Sequence, residues 1–184
     1  MHSGELDRWL ERPAVRTHHR RRARVATPAL WGAAREVRLA DTRTLGRLVR
    51  WRIPGTPASR TFSAMLAEYP FVVLDEGESW SLSGLCGRIW TLQRDYPRLG
   101  GPGDFRDWSE PGTVRVLFGH WVEPDGDGAS VLVSEARVEP VDAAAALRLR
   151  SLWLVVGVFE RLIGAEPLAL AARRAEAARS QGHA

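Results

Sequence analysis

The sequence predicts an α+β protein in which a curved antiparallel β-sheet wraps a long C-terminal α-helix. Three observations predict it. First, strong helix formers run from Asp142 to about Arg179, and the middle of that stretch, Leu152 to Ile163, is almost wholly apolar. A helix this apolar needs a large apolar partner, and the only upstream partner is a set of strands. Second, the strands run together and the helices are segregated from them, the pattern of α+β chains. Third, residues 113–138 read as a hairpin turning at Asp125-Gly126-Asp127-Gly128.

Each element has a local reason. Leu6, Trp9 and Leu10 lie at helical spacing before Pro13, which predicts a short amphipathic helix in an N-terminal extension, residues 1–14. Val15 to Val25 reads as a basic first strand. Its arginines either bind phosphate or guard a solvated sheet edge; without interleaved stacking aromatics, the edge reading is preferred and nucleic acid is not expected as a partner. Thr27-Pro28 opens a helix, with Thr27 as cap. Asp41-Thr42 introduces a second short helix, closed by Pro54-Gly55. Residues 61–69 fit a helical turn or a strand. Phe71 to Glu76 is a strand, and Ser81 to Leu92 is another, holding Gly84 and Gly87. Arg94 to Gly103 is a loop. Phe105 to Trp108 is a helical turn, Thr113 to Val122 and Ala129 to Val138 are the hairpin strands, and Asp142 caps the final helix. That helix has its bend expected near Gly164 and Pro167. The domain is expected over 15–179, with a disordered tail at 180–184.

Bulk properties exclude several classes. The chain has 184 residues, enough for one domain with a real core. Net charge is +4, and every basic residue is arginine. The single cysteine, Cys86, allows neither an internal disulfide nor a cysteine zinc cluster. His18 and His19 are adjacent in a strand and point to opposite faces, and His2 and His183 lie near the ends, so no metal site is expected. No P-loop, dinucleotide fingerprint or nucleophile elbow is present, and no cofactor is predicted. The apolar run Leu152 to Phe159 is far short of the roughly 20 residues a bilayer span requires. With no secretory signal, a cytoplasmic protein is expected.

Four stretches together resemble a known family. They are Gly84-Leu85-Cys86-Gly87-Arg88-Ile89-Trp90, Phe105-Arg106-Asp107-Trp108-Ser109-Glu110-Pro111-Gly112, Ser134-Glu135-Ala136-Arg137-Val138, and the helix around Trp153. Their order and spacing resemble a bacterial branch of the START-like, or SRPBCC, superfamily, also called polyketide cyclase-like, over about residues 15–178. Ser134 and Ala136 stand where that branch has two threonines. The resemblance implies a helix-grip fold with an apolar cavity between sheet and helix. It also implies a hydrophobic small-molecule partner, such as a lipid, sterol or polyketide, which some members cyclise or hydrate.

Candidate site residues follow from strand alternation. If the hairpin turn centres on Gly126-Asp127, His120 sits opposite Val133, Phe118 opposite Glu135, and Val116 opposite Arg137. His120, Glu135 and Arg137 then share one face, and His120 with Glu135 forms a candidate general acid–base pair whose carboxylate raises the histidine pKa. This reading sets the trio at the cavity wall, with Phe118 and Arg137 as candidate ligand contacts; the alternative is an ion pair between Glu135 and Arg137 with His120 at a rim. A one-residue slip of register changes these pairings. The other face, with Leu117, Trp121, Leu132, Ala136 and Val138, is also apolar, which predicts a second cover or a homodimer. Arg88 and Trp90 lie on the face of Gly84 and Cys86. They read as anion hook and lid of a cavity left open by small residues, or as core beside glycines that let the sheet curve. Cys86 reads as packing rather than nucleophile. Trp153 and Phe159 read as core, with Trp153 a candidate cavity wall. A hydrophobic-ligand binder, a cyclase or dehydratase using His120 and Glu135, and a basic interaction protein are the three functions that follow, in that order.

Overall fold

The computed structural model describes residues 3–52, 55–91 and 96–181. Of the expectations above, those on His2, Pro54, Leu92, Arg94, His183 and the tail beyond 181 lie outside the described residues, as do the side chains of 155–163, Phe159 included.

Five strands form one antiparallel sheet: β1 (Val15–Ala23), β2 (Val72–Gly77), β3 (Trp80–Gly87), β4 (Val114–Pro124) and β5 (Ser130–Pro140). Their spatial order is β1-β5-β4-β3-β2. The helices are α1 (Thr27–Arg35), α2 (Leu45–Arg52), α3 (Phe62–Leu66), α4 (Pro102–Arg106) and α5 (Ala143–Gln181). A 3-10 helix occupies Ser3–Arg8. The arrangement is a helix-grip fold, with α5 laid across β1 and β5 and against α1.

Asp142 starts α5 as its composition predicts. One carboxylate oxygen accepts from the Ala145 amide at 2.7 Å, satisfying an otherwise unpaired donor of the first turn. The other accepts from the Gly112 amide at 2.7 Å, tying the helix start to the loop before β4. Among the described residues, the helix meets the sheet at two places. Near its start, Ala145 and Leu149 are buried with Leu149 against Leu85, Val114, Val116 and Val138. Near its end, Leu168, Ala171, Ala172 and Ala175 pack on Leu30, Val37, Val122 and Leu132, the alanines allowing close approach. The helix continues through Pro167, which lacks the backbone donor of an interior residue.

The short helices differ from expectation in their caps. Thr27 is the first residue of α1; Ala26 is the N-cap, and the Thr27 hydroxyl instead meets Ser130 Oγ at 3.2 Å. The ambiguous 61–69 segment is α3, capped by Thr61 Oγ1, which accepts from the Ala64 amide at 3.2 Å. The N-terminus of α2 is capped from α5, where Glu166 accepts from the Arg43, Thr44 and Leu45 amides.

The hairpin corrects the expected register by one residue. Five residues, 125–129, make the loop, with positive φ at Gly126 (66°), Asp127 (45°) and Gly128 (69°). Asp127 is therefore the centre, and His120 pairs with Ser134, Phe118 with Ala136, and Gly119 with Glu135. Because side chains alternate along a strand, this slip puts His120 and Glu135 on opposite faces of the sheet.

Strand β3 also ends earlier than predicted. Gly87 has φ 136°, a conformation that takes the chain out of the sheet, so Arg88 and Trp90 do not continue the alternation of β3.

The outer face of the sheet, away from α5, is covered within the chain. Leu6 and Leu10 are fully buried there with Leu82, Phe105, Leu117 and Trp121. Two glycines make room for this cover. A Cβ on Gly84 would lie 2.6 Å from Phe105, and one on Gly119 would lie 3.0 Å from Leu6. The strand glycine at 84 thus serves close packing on the outer face, not cavity volume. Of the residues expected to form a second apolar face, Leu117 and Trp121 meet a cover in Leu6, Leu10 and Phe105, while the corrected register turns Leu132, Ala136 and Val138 to the cavity side.

Candidate functional site

The inner face, α5 and α1 to α3 line a half-open cavity of about 490 Å³. Its walls are Leu85, Val116, Phe118 and Val138 from the sheet, Trp31, Val49, Phe62 and Met65 from the short helices, and Trp153 and Leu168 from α5. The cavity follows from the helix contacts. Leu149 holds α5 to the sheet near one end and Leu168 to Ala175 near the other, and Trp153, Gly164 and Pro167 between them line the space.

Two of the predicted ligand contacts lie in this wall. Phe118 projects into it and stacks edge-on against Phe71, with ring centroids 5.7 Å apart. Trp153 lines it from α5.

His120 also lines the cavity, with Nε2 3.1 Å from Ser134 Oγ. Burial depresses its pKa from 6.5 to about 4, so the ring is neutral at pH 7. The expected carboxylate that would raise that pKa is on the other face.

Glu135 and Arg137 form a buried ion network on the outer face. Arg137 Nε donates to Glu135 Oε1 at 2.7 Å, and both side chains are fully buried. Arg137 also donates to Asp7 Oδ1 at 2.5 Å and to the carbonyls of Leu10 and Ser3 at 3.1 and 2.8 Å. Arg16 Nε donates to Glu135 Oε1 at 2.8 Å, and the Ser3 hydroxyl donates to Oε2. Burial works to raise the Glu135 pKa, but hydrogen bonds from Ser3, Arg137 and Arg16 hold it below the ordinary carboxylate value. The pair therefore fastens the N-terminal segment to the sheet, and Arg137 does not reach the cavity.

Arg88 and Trp90 stand outside the cavity lining as well. Arg88 lies 3.5 Å from Glu110, and Trp90 packs beside the Leu149 cluster with the Arg148 guanidinium 5.9 Å above its ring. Cys86 is buried on the outer face, where burial pushes its thiol up to about 12, far from a nucleophile's range. The basic strip of β1 is largely paired: Arg16 with Glu135, Arg20 with Glu123 at 3.3 Å and Arg22 with Asp125 at 2.5 Å. That pairing matches the reading of β1 as a charged sheet edge.

The register brings forward residues that sequence reasoning passed over. Ser81, His19 and Ser134 line the cavity beside His120. The signal was present in the turn: reading Asp125-Gly126-Asp127-Gly128 as part of a five-residue loop places Ser134 opposite His120. Among the described residues, no group of histidine, cysteine or carboxylate side chains could hold a metal, and no helix is long and apolar enough to cross a membrane.

No family model matches the chain, and no curated protein matches it. Solved structures show a loose likeness of arrangement. The protein TTHA0849 from Thermus thermophilus aligns over 89% of this chain and 99% of its own, at 11% identity and a TM-score of 0.35. The Zhui aromatase/cyclase from a Streptomyces species aligns over 89% of this chain and 97% of its own, at 15% identity and a TM-score of 0.34. CalU16 from Micromonospora echinospora aligns over 92% of this chain and 88% of its own, at 13% identity and a TM-score of 0.29. The strand order and helix packing described above, rather than these scores, define the fold.

Proposed function

We propose that the chain is a START-like domain that binds a hydrophobic small molecule, lipid or polyketide-like, between the sheet and α5, and that it does so in the cytoplasm. The supporting observation is the cavity of about 490 Å³ and its aromatic and aliphatic walls. That volume falls in the range of small-ligand sites, roughly 300–1,000 Å³. Apolar walls favour a ligand by the area each removes from water. Of the contacts the sequence nominates, Arg88, Trp90, Phe118, Arg137 and Trp153, two line this cavity, Phe118 and Trp153.

A cyclase or dehydratase built on His120 and Glu135 is not favoured, because the sheet lies between the two side chains. Binding is thus the reading adopted, without a reaction.

Native mass spectrometry of the purified protein tests it by detecting co-purified hydrophobic cargo. A fatty acid, sterol or aromatic polyketide that binds should raise the unfolding temperature in a concentration-dependent way, since ligand at 100 times its Kd adds about 2.7 kcal/mol. A protein that carries no cargo and whose melting is unmoved by all three classes would rule the proposal out.

A further inference from the structure

The polar side chains of the cavity are not scattered. Strand pairing sets Ser81 opposite His120, His120 opposite Ser134, and Ser134 opposite His19. All four line the cavity. They make one polar row straight across β3, β4, β5 and β1, on the order of 14 Å long at the spacing of neighbouring strands.

The rows beside it grade away from polarity. Two residues along each strand lie Ser83, Phe118, Ala136 and Thr17, again paired in register. Two further along lie Leu85, Val116, Val138 and Val15, all apolar. Rows two residues apart are separated by about 6.7 Å. The wall therefore runs from hydrogen-bonding to aliphatic over roughly 13 Å.

Serine hydroxyls and a neutral imidazole each both donate and accept. His120 is neutral at pH 7 and sits at 3.1 Å from Ser134, in the middle of the row. The one formally charged side chain among the described lining residues is Arg35, which is exposed on the last turn of α1. A carboxylate placed on the row would lose its hydration without a counter-charge there.

We infer that the row Ser81–His120–Ser134–His19 receives the neutral hydrogen-bonding end of the ligand, a ketone, phenol or alcohol, while the apolar body lies along Phe118 and the Leu85–Val116–Val138 row. This rests on the proposed ligand-binding role of the cavity and specifies the chemistry of what it takes.

Calorimetric titration with three probes of one shape, 2-naphthol, 2-methylnaphthalene and 2-naphthoate, tests it. The protein should bind 2-naphthol about tenfold more tightly than 2-methylnaphthalene, the worth of one hydrogen bond. Ser134→Ala should lower that ratio toward one. Ser81→Ala, on the other flank of His120, reads the same effect independently should the first variant fold poorly. Equal affinity for 2-naphthol and 2-methylnaphthalene would overturn the inference while leaving a hydrophobic cavity in place. A preference for 2-naphthoate that Arg35→Ala abolishes would overturn it in favour of anion recognition. No binding of any probe would defeat the cavity reading itself.

Discussion

Arg137 donates to Glu135 at 2.7 Å beneath the N-terminal segment, and neither side chain reaches solvent. Removing one partner of such a pair leaves a buried charge poorly compensated, at a cost of about 3–5 kcal/mol. Arg137→Ala should lower the urea midpoint accordingly, and replacing both residues by apolar ones should cost less than the sum of the single changes. An Arg137→Ala variant as resistant to urea as the parent would show that the network adds little.

Acid should weaken the fold in two separable windows. The folded His120 has its pKa lowered from 6.5 to about 4, so the unfolded chain takes up a proton that the folded chain refuses. Its contribution is complete above pH 6.5 and declines as pH falls toward 4. Glu135 is held below its ordinary 4.5, so its contribution is complete above that value and is lost as pH falls through the lower folded pKa. His120→Gln should flatten the upper slope only, and Glu135→Gln the lower slope only. Denaturant titrations at several pH values between about 7.5 and 3.5 read both.

Gly164 of α5 lies against the His19 ring, where an added Cβ would sit 2.3 Å from Nε2. Alanine is favoured over glycine inside a helix by roughly 1 kcal/mol. That gain should be absent in Gly164→Ala alone and should reappear when His19 is also truncated to alanine. A double-mutant cycle on stability gives the coupling, and strict additivity would mean that the ring moves aside freely.

Glu166 caps α2 from a different helix, accepting from the Thr44 and Leu45 amides at 3.1 Å each. Glu166→Ala should cost about 1 kcal/mol, as lost caps do. Because Val49 and Leu45 of α2 line the cavity, amide hydrogen exchange of α2 should rise and bound hydrophobic probes should leave faster. Unchanged exchange in residues 45–51 would count against this link.

The strands, the long helix and its Asp142 cap were legible because each is written in local pattern and turn chemistry. Phe118 and Trp153 were legible as cavity candidates for the same reason. The faces of the hairpin were not, since counting from Gly126-Asp127 instead of Asp127 moves every pairing by one. Arg88 and Trp90 were misplaced because nothing local to β3 says that Gly87 will take φ 136° and leave the sheet. The fastening of Ser3 to Glu135 joins residues 132 apart, a distance at which no pattern in the chain speaks.

Leu6 settles over Gly119, and Ser3 offers its carbonyl to a guanidinium 134 positions downstream. During synthesis residues 3–10 emerge before β4 and β5, yet their berth does not exist until those strands have been translated. Residues 3–10 are thus made before, and dock after, the strands that hold them, and a ribosome-bound nascent chain stalled before Ser130 should leave them accessible to protease.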